Sequence, residues 1–209
     1  MTDAAKGVCA MIVACTMWGL TGLFYKLLTH IPPMQVLSHR ILWSAVFFTC
    51  VLALQGRFNL LAGVLRDWKQ VRVLALATAM ISVNWFLFIT SVQIERATEA
   101  SLGYYIFPLV SVVLGRIFFA EQLSRAQGLA IALAATAVVV LTWGLGVAPW
   151  ISLVLAFSFA FYGVVKKRLD LGPVVSVTAE VLLLAPLALI VVASTGFSGF
   201  QDVGATWGC

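Results

Sequence analysis

Seven long apolar runs cross this 209-residue chain, and its Lys and Arg residues fall almost entirely into every second gap between them. On the side of the N-terminus lie Lys6, Arg57, Arg66, Lys69, Arg72, Arg116, Arg125, Lys166, Lys167 and Arg168. The opposite side holds only Lys26, Arg40 and Arg96. Loops rich in Lys and Arg stay in the cytoplasm, so the asymmetry predicts a multi-pass membrane protein with a cytoplasmic N-terminus. It also accounts for the net charge of +5. The basic charge sets topology, and nucleic acid is excluded as a partner.

A crossing needs roughly 20 apolar residues for about 30 Å of hydrocarbon. The runs place spans near 7–28, 34–54, 71–93, 97–119, 124–143, 148–167 and 173–194. The third is bounded by Arg72 and Glu95 with no charge between. The fifth and sixth are parted by GLGVAP (144–149), because Gly and Pro mark a turn and Trp143 and Trp150 suit the interface on either side. A hydrophobic fraction of 62% with only 10% charged residues requires lipid as part of the solvent. The first run carries Trp18 in its middle and no small-x-small cleavage site before Lys26, so it is expected to stay as a span. Ser124 followed by Gln127 predicts a capping box opening the fifth span. The RDWKQVR stretch of the long 55–72 connection is expected at the cytoplasmic surface.

Charge inside a span is costly, so each such residue is a functional candidate. Lys26, Arg40 and Glu99 fall at similar depth near the outer face, where Glu99 is expected to reach Arg40 or Lys26. His39 borders the same layer. The reading is an outer gate or a site for substrate charge, against a structural ion pair with snorkelling side chains. Glu180 lies roughly 10 Å inside the seventh span at about 1.5 Å per residue. It is either a proton carrier or a carboxylate bonded to a neighbouring helix. Trp18, Trp43, Trp85, Tyr104 and Tyr105 fall well inside spans, with Asn84 beside Trp85. They are candidates for a cavity around a flat ligand, with Asn and Tyr donating hydrogen bonds, although aromatic residues at such depth also serve simple packing. Pro108 marks a kink or hinge, and Gly103 and Gly115 permit close helix approach.

The cysteines Cys9, Cys15 and Cys50 sit within spans, and no Cys/His spacing suggests a metal, a cofactor or a disulfide. GxSxG, HExxH, P-loop and Rossmann patterns are missing, so the chain does not read as an enzyme. TMWGLTGLFYK (16–26) and AFYGVVKKRLD (160–170) share an aromatic residue, then Gly, then apolar residues leading to basic ones. A five-span repeat would place its second copy upside down, as in secondary transporters.

The segments KLLTHIPPMQVLSHRILWS (26–44), NWFLFITSVQ (84–93), EASLGYYIFPLVSVVLG (99–115), EQLSRAQGLAI (121–131), AFSFAFYGVVKK (156–167) and TAEVLLLAP (178–186) resemble the RarD permeases. These belong to the EamA group of the drug/metabolite transporter superfamily. The resemblance implies an all-α polytopic membrane protein of the bacterial inner membrane, with ten spans in two inverted five-helix repeats. Residues 1–143 would form the first repeat and 148–209 an incomplete second. It implies a permease moving small organic drugs or metabolites by alternating access, coupled to protons or another ion, with a family name tied to chloramphenicol sensitivity. Lys26, His39, Arg40, Trp43, Asn84, Trp85, Glu99, Tyr104, Pro108, Glu121 and Glu180 fall on the family's pattern. Against that plan three spans are lacking after the seventh. The 209 residues are therefore expected to be inactive alone, with Cys209 outside.

Overall fold

In the computed structural model the described residues are 3–120, 122–146, 150–169 and 171–195. Glu121, Cys209 and the tail around FSGFQDVGATWGC lie outside them. Eight helices follow one another: α1 (Asp3–Leu27), α2 (Pro33–Leu54), α3 (Phe58–Arg66), α4 (Trp68–Gln93), α5 (Ala97–Phe119), α6 (Arg125–Leu145), α7 (Trp150–Lys167) and α8 (Pro173–Thr195). All but α3 are long and apolar enough to cross a membrane, which makes the seven expected spans. Pro33 occupies the first turn of α2, where no intrahelical N–H is needed. The capping box of α6 is present: Gln127 N donates to Ser124 Oγ at 3.2 Å, and Ser124 N donates to Gln127 Oε1 at 2.9 Å.

The 55–72 connection contains a helix that apolar run length did not reveal. The short α3 buries Leu61 and Val64 against Leu52, Leu74, Val175 and Ala179. Its amphipathic face therefore covers one end of α2, α4 and α8. Asp67 then caps α4, accepting from Lys69 N at 2.9 Å and Gln70 Nε2 at 3.0 Å. Those two bonds hold the Asp67 carboxyl below its ordinary value. This end carries most of the Lys and Arg and is called the basic end below.

The packing has a centre and a periphery. α7 lies against α5 and α4, while α8 lies against α2 and α4. In contrast, α6 buries none of its described residues inside the bundle, and α1 buries only Tyr25 near its end. Lipid offers no hydrophobic drive for helices to associate, so close backbone approach and interhelical hydrogen bonds must supply it. The α5–α7 seam does this with small residues. Ser152, Ala156 and Ala160 recur every four residues on α7 and are all buried. Opposite them, a Cβ built on Gly103 would stand 2.9 Å from the Ser152 carbonyl oxygen and 3.0 Å from Leu155 Cβ. Ser152 Oγ also donates across the seam to the Glu99 carbonyl at 2.6 Å.

Substitution should separate this seam from the lipid-facing helices. Gly103→Ala forces backbone apart and is expected to lower stability by about 1–3 kcal/mol, despite the better helix propensity of Ala. On α6, a Cβ at Gly128 meets nothing within 4 Å. Gly128→Ala is therefore expected to be neutral or to stabilise by up to about 1 kcal/mol. Denaturant unfolding of the two variants in micelles checks the contrast, and equal effects would remove the seam from the argument.

Candidate functional site

A cavity of about 340 Å³ opens among α1, α2, α4, α5 and α7. Each helix contributes one face. Trp18, Gly19 and Gly22 come from α1, and Asn84, Trp85, Phe88 and Val92 come from α4. Ala97, Ser101 and Tyr104 follow at helical spacing on α5, Arg40 enters from α2, and Phe159 from α7. The size falls within the roughly 300–1,000 Å³ of small-molecule sites. Its aromatic rings touch one another as well as the space. Tyr104 lies 6.0 Å from Trp18, 5.7 Å from Phe88 and 6.3 Å from Phe159, centroid to centroid. Such separations suit tilted and edge-to-face contacts, which fix ring orientation.

Arg40 is the charged group of this chamber. Its Nη1 donates to Tyr25 Oη at 3.0 Å, and its guanidinium carbon stands 4.3 Å from the Trp85 ring centroid. A planar cation over an indole face is held electrostatically and sterically at once. Tyr25 is in turn buried edge-on against Phe88 at 6.0 Å. Arg40 also borders a larger cavity of about 720 Å³ between α1 and α2, where His39 and Trp43 lie. It thus stands between two spaces.

The structure redistributes the residues expected from sequence. Trp18, Arg40, Asn84, Trp85 and Tyr104 come together in the chamber. Trp43 lines the neighbouring cavity instead, and Tyr105 turns outward with 68% exposure. Pro108 lies within an unbroken α5. Lys26 is exposed. Asn84 is buried, and its amide N–H groups are directed to the Leu155 carbonyl at 2.9 Å and Ser158 Oγ at 3.2 Å. Its donors therefore tie α4 to α7. The expected pairing of Glu99 with Arg40 or Lys26 is replaced by another. Glu99 Oε1 lies 3.0 Å from Arg96 Nε, one turn back on its own helix. The reason is facial: Ala97, Ser101 and Tyr104 look into the chamber, whereas Glu99 sits on the seam that meets α7. Its Oε2 is buried with no partner among the described residues.

Glu180 has a built environment of its own near the basic end. Lys166 Nζ donates to Glu180 Oε1 at 2.6 Å, and Tyr162 Oη donates to Oε2 at 3.1 Å. Ser176 Oγ donates to Oε1 at 3.2 Å and accepts from Lys166 Nζ. Both carboxylate oxygens are thus occupied, and the group is almost fully buried. Sequence reading counted Lys166 only as a topology signal, and it passed over Tyr162 and Ser176. The available signal was spacing, since Tyr162–Lys166 and Ser176–Glu180 are each four apart on one helix face.

Removing one partner of this pair should cost more than removing both. Lys166→Met leaves a buried carboxylate and is expected to destabilise by about 3 kcal/mol or more. Adding Glu180→Leu should recover most of that loss. A double-mutant cycle from unfolding in micelles measures it, and additive losses would show that the two side chains act independently.

The amino-acid sequence of residues 5–143 matches the EamA-like transporter family. An uncharacterized transporter of Bacillus subtilis, YojE, is 40% identical over 98% of this chain and 70% of its own length. Protein RarD of Streptomyces exfoliatus is 47% identical over 88% of this chain and 58% of its own. Protein RarD of Escherichia coli is 36% identical over 95% of this chain and 67% of its own. The chain thus spans between 58% and 70% of the length of these relatives. No solved structure matches it.

Proposed function

The chain belongs to the EamA-like transporter family, and we propose that it carries small organic solutes across the bacterial inner membrane by alternating access. The observation that carries this reading is the chamber itself. Five helices from distant parts of the sequence converge on one aromatic space between the two ends of the spans. A packing protein has no use for such a void, because empty apolar volume forfeits contact energy.

On this reading residues 1–143 form one five-span repeat and 148–209 open a second, inverted one, within a ten-span plan. The family match ending at residue 143 supports that boundary. The ten-to-three division of basic residues supports a cytoplasmic N-terminus, which makes the basic end the inner one. α1 supplies a chamber wall yet buries only Tyr25 of its span residues. It is therefore the wall whose displacement breaks the fewest contacts, and the natural moving gate. Glu180 and Lys166 are the candidate coupling site: transfer of a proton to the carboxylate would loosen the tie between α7 and α8. Coupling to a proton gradient rests on that geometry. The substrate pool includes aromatic compounds of the size of chloramphenicol, the drug tied to the RarD name.

The chamber can be filled without disturbing the fold. A Cβ at Gly22 meets nothing within 4 Å. Gly22→Leu should therefore leave stability within about 0.5 kcal/mol while occupying ligand space. Full-length protein in proteoliposomes would be assayed for counterflow of radiolabelled chloramphenicol and benzoate. Flux of either solute that falls by an order of magnitude in Gly22→Leu is expected. No flux in the unaltered protein, or flux indifferent to the substitution, overturns the assignment.

A further inference from the structure

We infer that the chamber recognises an organic anion, a carboxylate or similar group on a flat apolar body, and that Arg40 is the group that receives its charge. The inference rests on the transporter reading for its biological meaning but on the polar inventory of the chamber for its chemistry.

The Tyr104 hydroxyl and the Trp18 and Trp85 indole N–H groups are neutral donors of the chamber lining, and Arg40 is its charged one. Thr21 Oγ1 donates to the Met17 carbonyl at 2.8 Å, and Ser101 Oγ donates to the Ala97 carbonyl at 2.9 Å. Both hydroxyl hydrogens are thus directed back into their own helices. The Asn84 amide is committed to α7. Arg40 has five N–H donors, and one is used by Tyr25. Tyr25 is a neutral phenol, so it satisfies a donor without balancing the charge.

The two carboxylates buried within the spans are already paired. Glu180 is matched by Lys166, and Glu99 by Arg96. No carboxylate among the described residues pairs with Arg40. Between helices an unbalanced cation is costly, and a ligand that brings its own negative charge relieves that cost. The Trp85 face already holds the guanidinium plane, so its remaining edge is presented ready-made for the two oxygens of a carboxylate. Trp18, Tyr104 and Phe159 supply flat walls for the body attached to it.

Binding of three isosteric probes to full-length protein in neutral-lipid nanodiscs tests this by equilibrium dialysis at pH 7. The probes are 2-naphthoate, 2-naphthamide and 2-naphthylmethylamine. Saturable binding of the carboxylate is expected, with the amide at least about tenfold weaker and the amine without measurable affinity. Arg40→Gln should abolish the preference for carboxylate over amide, and Arg40→Lys should keep part of it. Gly128→Ala, on α6 outside the chamber, should change 2-naphthoate affinity by less than about threefold. Should Arg40→Gln fail to fold, the ranking of the probes on the unaltered protein still decides.

Equal affinity for carboxylate and amide overturns the inference, as does no saturable binding of any probe. Retained carboxylate preference in folded Arg40→Gln assigns the charge recognition elsewhere and overturns it too. The transporter reading fails separately. Carboxylate-selective binding without counterflow would sink transport and leave the anion site standing. Counterflow of chloramphenicol with no selectivity for carboxylate would do the reverse.

Discussion

The approach of α7 to α5 at Gly103 is the contact on which the other features depend. Backbone meets backbone there, because a single added carbon would stand 2.9 Å from the Ser152 carbonyl oxygen. That proximity lets Ser152 bond across to the Glu99 carbonyl and seats Ala156 against Leu102 and Ile106. With α7 so placed, its next face meets Asn84 of α4, which donates to Leu155 and Ser158. Phe159 follows directly and projects into the chamber, while Tyr162 and Lys166, one and two turns on, reach Glu180 of α8. In lipid these close contacts replace the hydrophobic effect as the source of order. One helix therefore sets the geometry of both polar sites.

The treatment of charge follows from the same medium. Water is absent from the middle of the spans, so a buried ion needs either a counter-charge or a use. Glu180 and Lys166 supply each other and are reinforced by two hydroxyl groups. Glu99 takes its neighbour Arg96 at the end opposite the basic one. Arg40 receives a phenol and an indole face instead, which orient its plane but leave its charge unbalanced. Arg40 is thus the ionic side chain that lines the chamber, whereas Glu180 and Lys166 tie α7 to α8.

Most of the architecture was legible in the sequence, because run length, Pro and Gly punctuation and the alternation of basic loops are local signals. The seven spans end within a few residues of where the charges and turn residues place them, and Ser124 and Gln127 form the box their spacing announces. The helix α3 escaped because nine residues with two buried leucine-sized side chains leave no long apolar run. The chamber was legible in part. Depth along a span can be counted at about 1.5 Å per residue, so Trp18, Trp43, Asn84, Trp85, Tyr104 and Tyr105 could be placed deep in their spans, and four of them line the chamber. Azimuth cannot be counted the same way. Glu99 and Arg40 share a level but not a face, and Trp43 and Tyr105 turn away from the chamber for the same reason. Lys166 shows a third limit: a basic residue near a span end satisfies the topology rule whether or not it reaches inward to a carboxylate.

The two polar sites are joined by rings rather than by charges. Phe159, which closes the chamber on the α7 side, stacks on Tyr162 with centroids 6.0 Å apart and planes 9° from parallel. Tyr162 then donates to the far oxygen of Glu180. On the other side Phe159 meets Tyr104 and Trp18, the rings nearest the chamber space. Phe159 and Tyr162 share one helix, three residues apart, so their rings stay neighbours along it. A displacement of Phe159 would therefore be felt first at Tyr162, the ring that donates to Glu180. Such coupling needs no long-range wire: it follows from packed rings on one rigid helix having few alternative arrangements.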